Sequence, residues 1–261
     1  MRYASKTKHL LFAIKLYVVL LLAVSFASCG IKNAPICEID ETVVHENASV
    51  TVEYAFGTKT EAYVVFSVKA DDVTDDDGGL YLPSVIIDIN ADGGYGYGCI
   101  DRSGSSATYI LAINSESGSL TGKKVNLQIG GIHQQGDVMT TLCDEDFVFD
   151  FRLNYSEDGK TASVGETDNH PMFSLLLTER ALIITPDRTG GGGGDEFYTF
   201  SDVALVKYDG DSITPDINSS NADSPLAFTV CLFGSGIDIS EIEKTVIDGI
   251  EIYFNTEELY L

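Results

Sequence analysis

Phe147-Val148-Phe149-Asp150-Phe151-Arg152-Leu153-Asn154-Tyr155 decides the fold class. Phe147, Phe149, Phe151 and Leu153 alternate with Val148, Asp150, Arg152 and Asn154. Successive side chains of a strand point to opposite faces, so this pattern predicts a β-strand with one face on a core and the other in water. Further toward the N-terminus, Thr51-Val52-Glu53-Tyr54-Ala55-Phe56 and Ala62-Tyr63-Val64-Val65-Phe66-Ser67-Val68 flank Gly57-Thr58-Lys59-Thr60, which reads as a hairpin. In its second strand Tyr63, Val65 and Ser67 share one face and Val64, Phe66 and Val68 the other, and the latter is the expected core face. More strands are expected over 81–89, 107–113 and 125–129, with acidic or glycine-rich turns such as 71–79 between them.

After a polar stretch at 156–171 a second set of strands is expected: 172–177, 181–185, 197–208, 225–232 and 245–254. The five glycines at 190–194 lose too much backbone entropy to be ordered in a core and read as a hairpin tip. Ser240-Glu241-Ile242-Glu243-Lys244 offers one helical turn, with Ser240 as its cap. The composition agrees, with 25 Gly, 13 Tyr and 13 Phe. The expected fold is all-β: two antiparallel immunoglobulin-like β-sandwich domains, 44–165 and 166–261, after an N-terminal signal or anchor helix (1–29) and a linker (30–43).

The leader has three parts in order: basic residues Arg2, Lys6, Lys8 and Lys15, an apolar run at 16–27, and Phe26-Ala27-Ser28-Cys29-Gly30. Basic residues stay on the cytoplasmic side while the apolar run enters the bilayer. Twelve residues of helix reach only ~18 Å, short of the roughly 20 residues that a spanning helix needs. Small Ala27 and Ser28 before Cys29 resemble a lipoprotein signal, with Cys29 as the lipidation site, although Phe26 stands where such signals most often carry Leu. Two alternatives stay open: an uncleaved anchor helix over 10–27 with Lys15 snorkelling to the interface, and an ordinary cysteine beside a conventional cleavage site. Lipid or anchor helix, the bulk of the chain is expected at the extracellular face of the cell membrane.

The chain carries 16 Lys+Arg against 40 Asp+Glu, and its first 28 residues hold four basic and no acidic ones. The remainder therefore carries a formal net charge of −28. Such a surface repels phosphate backbones, which argues against nucleic acid as a partner, and repels anionic headgroups as well. Attachment to a membrane is then left to the leader. Besides Cys29 there are Cys37, Cys99, Cys143 and Cys231, four thiols that permit three pairings. With no CxxC and no Cys/His cluster a zinc site is not expected, and Cys231, inside Phe228-Thr229-Val230-Cys231-Leu232-Phe233, reads as a small core residue.

The hairpin at 49–69, the strand at 147–155 and the closing Ile237-Asp238-Ile239-Ser240-Glu241-Ile242-Glu243-Lys244-Thr245-Val246-Ile247-Asp248-Gly249-Ile250-Glu251-Ile252 resemble an uncharacterised extracellular family of Gram-positive bacteria. Its members resemble tandem immunoglobulin-like ectodomains, often beyond a single membrane span and sometimes joined to an anti-sigma-factor-like cytoplasmic part. The likeness covers most of the chain after Val43. With only a leader ahead of the ectodomain, this chain leaves no room for the cytoplasmic part, and the family offers no catalytic residues to transfer.

Asp88-Ile89-Asn90-Ala91-Asp92-Gly93 fits the first half of a calcium loop, with Asp88, Asn90 and Asp92 as candidate ligands. The twelfth position, where a bidentate Glu belongs, is Cys99, so an acidic β-turn serving its own backbone competes with the metal reading. Tyr95 and Tyr97 in Gly94-Tyr95-Gly96-Tyr97-Gly98 are the candidate ligand-contacting aromatics, against packing at a hairpin tip. His45, His133 and His170 lie far apart in polar stretches and read as solvated loop residues. No G-x-S-x-G is present, Gly234-Ser235-Gly236 reads as a turn, and there is no Trp to form a sugar platform beside a carboxylate pair. The expectation is a non-catalytic, envelope-anchored interaction module for an envelope protein or wall polymer. A calcium-dependent carbohydrate-binding accessory protein is the alternative, and no other cofactor is expected.

Overall fold

The computed structural model describes residues 36–71, 73, 79–82, 84–135, 139–156, 159–165, 172–186, 200, 202–221 and 228–254. The leader, Cys29, His170 and the glycine run at 190–194 lie outside them, as does most of the acidic run at 71–79. The fold is all-β with several antiparallel sheets. Residues 33–261 form one compact unit.

Nine strands make its first part: β1 (Cys37–His45), β2 (Ala48–Gly57), β3 (Glu61–Ala70), β4 (Leu80–Tyr81), β5 (Ser84–Ile89), β6 (Tyr95–Ser103), β7 (Ser106–Asn114), β8 (Lys124–Gln134) and β9 (Thr140–Arg152). Nine more follow: β10 (Lys160–Val164), β11 (Phe173–Leu177), β12 (Ala181–Pro186), β13 (Val203–Lys207), β14 (Ser212–Ile213), β15 (Ile217–Asn221), β16 (Phe228–Leu232), β17 (Ile242–Ile247) and β18 (Ile250–Tyr253). They form four sheets: β1-β2-β3-β7-β6; β4 and β5 beside β8, with β9 on its other side; β10-β11-β12-β16-β15; and β14-β13-β17-β18.

Three apolar layers fix the stacking. Phe147, Phe149, Phe151, Val125, Leu127 and Ile129 from the β8–β9 sheet meet Val50, Val64, Phe66, Tyr109 and Leu111 of the β1-β2-β3-β7-β6 sheet. The opposite face of that same sheet, carrying Phe56, Tyr63, Val65, Ile110 and Ala112, meets Leu176, Ala181, Ile183, Phe228, Val230 and Leu232 of the β10-β11-β12-β16-β15 sheet. Beyond it, Leu175, Leu182, Ile184 and Cys231 meet Val203, Leu205, Ile242 and Ile247 of the last sheet. The two inner sheets are thus buried on both faces, and the two outer ones on one.

That layering corrects the reading of the 62–68 strand. Val64, Phe66 and Val68 do face a core, but Tyr63 and Val65 face a second one, and Tyr63 stacks on Phe56 at 5.5 Å and meets Phe228 edge-on at 5.8 Å. A strand buried on both sides reads as a near-continuous apolar run, and 62–66 is one.

Several boundaries also shift. The expected linker ends early, because Cys37–His45 pairs with β2 as β1. The expected 81–89 strand is two, β4 and β5, divided in sequence by Pro83, which has no N–H to give a ladder. The expected 245–254 strand is a hairpin: β17 turns into β18 through Asp248 (φ 49°) and Gly249 (φ 84°), the two left-handed positions that an Asp-Gly turn supplies. The helical turn at 240–244 is a single 3-10 turn, Ile239–Glu241, and Asp238 rather than Ser240 caps it, accepting from the Ser240 N–H at 2.9 Å.

Candidate functional site

The candidate calcium loop connects β5 in one sheet to β6 in the next, and its geometry serves that crossing. Gly94 N–H donates to Asn114 Oδ1 at 2.5 Å and the Gly94 carbonyl accepts from Asn114 N–H at 2.9 Å. Gly93 lies against the Asn114 carbonyl so closely that a Cβ there would stand 1.9 Å from the oxygen, which is why no larger residue fits. Asp92 reaches the turn after β7. Its Oδ1 accepts from Ser115 Oγ at 2.8 Å, Glu116 N–H at 3.1 Å and Ser117 N–H at 3.3 Å, while its Oδ2 accepts from the Ser117 hydroxyl. The Ser117 and Ser115 hydroxyls hold the carboxyl well below the usual carboxylate range.

The three candidate metal ligands have different surroundings. Asp88 sits on β5 opposite Asn126, Asn90 offers its backbone carbonyl to Lys123 Nζ at 2.6 Å, and Asp92 is engaged by the 115–117 turn. Among the described residues no group of three or more His, Cys, Asp or Glu stands together as a metal site.

Tyr95 and Tyr97 do not sit at a hairpin tip. They lie on strand β6, opposite Ile113 and Leu111 of β7. The Gly-Tyr-Gly-Tyr-Gly alternation has a two-sided purpose. Tyr97 packs against the first core, whereas the alternate Gly96, which is buried, and Gly98 share the face of Ile100, the face where β15 comes alongside β6.

On the tyrosine side, two phenols tie the β4–β5 segment to the neighbouring sheet. Tyr97 OH donates to the Leu82 carbonyl at 3.0 Å, and Tyr109 OH donates to the Leu80 carbonyl at 2.7 Å. Tyr81, between those two carbonyls in sequence, is 41% exposed and Tyr95 is 38% exposed. Burial, then Tyr81 and Tyr95, push the Tyr97 phenol up. Tyr97 is half-buried and tied to the Leu82 carbonyl, and Tyr81 and Tyr95 are presented to solvent. The sequence reading had Tyr95 and Tyr97 but not Tyr81, whose partner strand is remote in sequence.

The other singled-out groups are structural in their contacts. His45, at the end of β1, bonds the Asp146 carbonyl through Nε2 at 3.1 Å, pairs with Glu145 through Nδ1, and packs edge-on against Phe147 at 4.7 Å. His133 is on β8, where Nδ1 bonds Thr141 Oγ1 at 3.3 Å. Both are strand residues, His45 on the edge strand β1 and His133 between β4 and β9, not loop residues. Cys37, Cys99, Cys143 and Cys231 are free thiols, and burial pushes Cys231 up to about 12, which keeps it protonated and inert. Among the described residues no helix is long and apolar enough to cross a membrane.

No protein-family model and no curated protein matches the chain. The conserved domain protein from Bacillus anthracis, known from its crystal structure, is similar over 84% of this chain and 78% of its own, at 10% sequence identity and a TM-score of 0.41.

Proposed function

We propose that the chain is a non-catalytic binding module held at the extracellular face of the cell membrane, by lipid on Cys29 or by an anchor helix, and that it contacts an envelope protein or wall polymer through the Tyr81–Tyr95–Tyr97 rim. The observation that carries this reading is the presentation of Tyr81 and Tyr95 on strands whose backbones are fixed by phenol-to-carbonyl bonds. Tyrosine gives a large amphipathic contact with few torsions to freeze, so a rigid rim of this kind loses little entropy on binding. The leader motif and the resemblance to extracellular tandem domains support the location. In this reading the two sheet pairs are two immunoglobulin-like sandwiches in their layering, while the order β1-β2-β3-β7-β6 is more hairpin-rich than the exchange of strands between ABED and CFG sheets.

Crosslinking pull-down from intact envelopes tests it. The wild-type chain is expected to capture a partner that the Tyr81→Ala/Tyr95→Ala variant loses, with unchanged unfolding midpoints for the two proteins. Capture of the same partner by both overturns the rim.

Carbohydrate binding is the second reading, favoured by exposed Tyr95 opening β6 directly after the Asp88–Asp92 loop. Because Asp92 is engaged by the 115–117 turn, glycan binding here is expected to survive a chelator; loss of glycan-array signal in chelator would restore the calcium-dependent form.

A further inference from the structure

The outer face of the β5-β8-β9 layer is an array of side chains set by register. Leu127, Ile129, Phe147 and Phe149 point into the first core, so the residues that alternate with them point outward. Cross-strand pairing lines these up in rows: Asp88, Asn126 and Asp150; Ile86, Gln128 and Val148; Ser84, Gly130 and Asp146. Each row crosses ~10 Å of sheet, two inter-strand spacings. The flanking Ile86, Asp88, Asp146, Val148 and Asp150 are exposed, with Asn126 and Gln128 half-buried between them.

Ile86 is 50% and Val148 48% exposed, two β-branched side chains held in water on either side of Gln128. Carboxylates surround them, and the central amides fix two of these in place. Asn126 Nδ2 donates to Asp150 Oδ1 at 3.2 Å, and Gln128 Nε2 donates to Asp146 Oδ2 at 2.6 Å. The Asn126 amide and then Lys124 hold the Asp150 carboxyl below the usual carboxylate range. Bases gather at one end only: Lys124, ion-paired with Asp150 at 3.1 Å, its cross-strand partner Arg152, and Lys123, whose Nζ is turned to the Asn90 carbonyl at 2.6 Å. Toward the other end exposed Asp144 and Glu145 extend the acidic run, Glu145 in contact with His45.

Both margins of the layer are already engaged. On the β9 side the Asp146 and Arg152 carbonyls take bonds from His45 Nε2 at 3.1 Å and from the Cys37 thiol at 3.2 Å. On the β4–β5 side the Leu82 and Leu80 carbonyls take the phenol bonds of Tyr97 and Tyr109. A partner adding a strand at either margin would have to displace these bonds, whereas the face is open to side chains. We propose that this face docks a cationic segment of another protein, its aliphatic side chain lying on Ile86 and Val148 and its Lys or Arg residues on Asp88, Asp146 and Asp150. The aliphatic pair favours a polypeptide over a bare polycation, and the formal net charge of −24 draws such a partner in from a distance. The face shares no residue with the Tyr81, Tyr95 and Tyr97 reading, so either can fail alone.

The test uses a Lys-Val-Lys-Val-Lys peptide, blocked at both ends, with the full chain. Fluorescence anisotropy reads its binding, and carbodiimide coupling followed by mass spectrometry reads its place. Links are expected at Asp88, Asp146 and Asp150 in preference to Asp202, Asp209 and Asp211, which are also exposed. Ile86→Ser/Val148→Ser should weaken binding about tenfold, as should replacing the peptide's valines with serine. Asp146→Asn/Asp150→Asn should weaken it by about threefold for each carboxylate removed. Urea midpoints close to that of the wild type show that the variants are folded. Links spread evenly over the exposed acids, or equal affinity for the valine and serine peptides, overturn the docking face in favour of unspecific charge attraction. Displacement of the peptide by an equal concentration of spermine overturns the choice of a polypeptide.

Discussion

Asp92 shows how far a single carboxylate can act from its place in the sequence. Its four donors come from residues 115 to 117, so it closes the end of the first sheet pair while looking, in sequence, like part of a metal loop. Because those donors depress its titration, its contribution to stability is present above the ordinary carboxylate range and is lost as pH falls through the depressed folded value. Asp92→Asn is therefore expected to unfold more easily at neutral pH and to show a flatter loss of stability in acid, measured as urea midpoints across that range; a parallel acid limb in both proteins would contradict it. Millimolar calcium should leave the midpoint of the wild type unchanged. Tyr155 is a second such residue. Its buried hydroxyl faces the Thr58 carbonyl at 3.0 Å and the Glu61 carbonyl at 3.2 Å, so Tyr155→Phe should lower the unfolding free energy by about 1–2 kcal/mol by denaturant titration.

At the scale of the element, the period-2 pattern was legible wherever one face meets water. The 147–155 alternation gave the inward Phe147, Phe149 and Phe151 and the outward Val148, Asp150 and Arg152 as they stand in β9. It was incomplete in the inner sheets, where only the Val64, Phe66 and Val68 face was expected in a core although Tyr63 and Val65 are buried in a second one. The missing information is nonlocal: only the approach of β12 and β16 turns that second face into a core. The Asp248-Gly249 turn is different, since the dipeptide itself is a local hairpin signal inside the apolar stretch at 245–254. In the site, the Asp88-Asn90-Asp92 spacing was legible as a turn, but its use was not, because the donors lie more than 20 residues away.

The layering makes a paired prediction at this scale. Val65→Asp, which places a charge between the inner sheets, is expected to cost several kcal/mol or prevent folding, whereas Val148→Asp, at a position 48% exposed on an outer sheet, should stay within about 0.5 kcal/mol of the wild type. Thermal or denaturant midpoints of the two variants check it. Gly249→Ala, forced to adopt φ 84°, should cost about 1 kcal/mol by the same measurement without altering the packing.

At the scale of the whole molecule, the central claim is that two sheet pairs share a third apolar layer and so behave as one body. Phe56, Tyr63, Val65 and Ile110 on one side and Leu176, Ile183, Phe228 and Val230 on the other are all buried, and each such side chain is worth ~1.5–3 kcal/mol when removed from water. Separating the pairs would expose all of them, a loss comparable to the total stability of an ordinary domain. Arg180 adds a polar seam at the margin, 5.7 Å over the Tyr54 ring and 3.6 Å from Glu38. Differential scanning calorimetry of the full chain tests this most directly. One transition whose calorimetric and van't Hoff enthalpies agree is the predicted result, and two resolved transitions, each with its own midpoint, would contradict it.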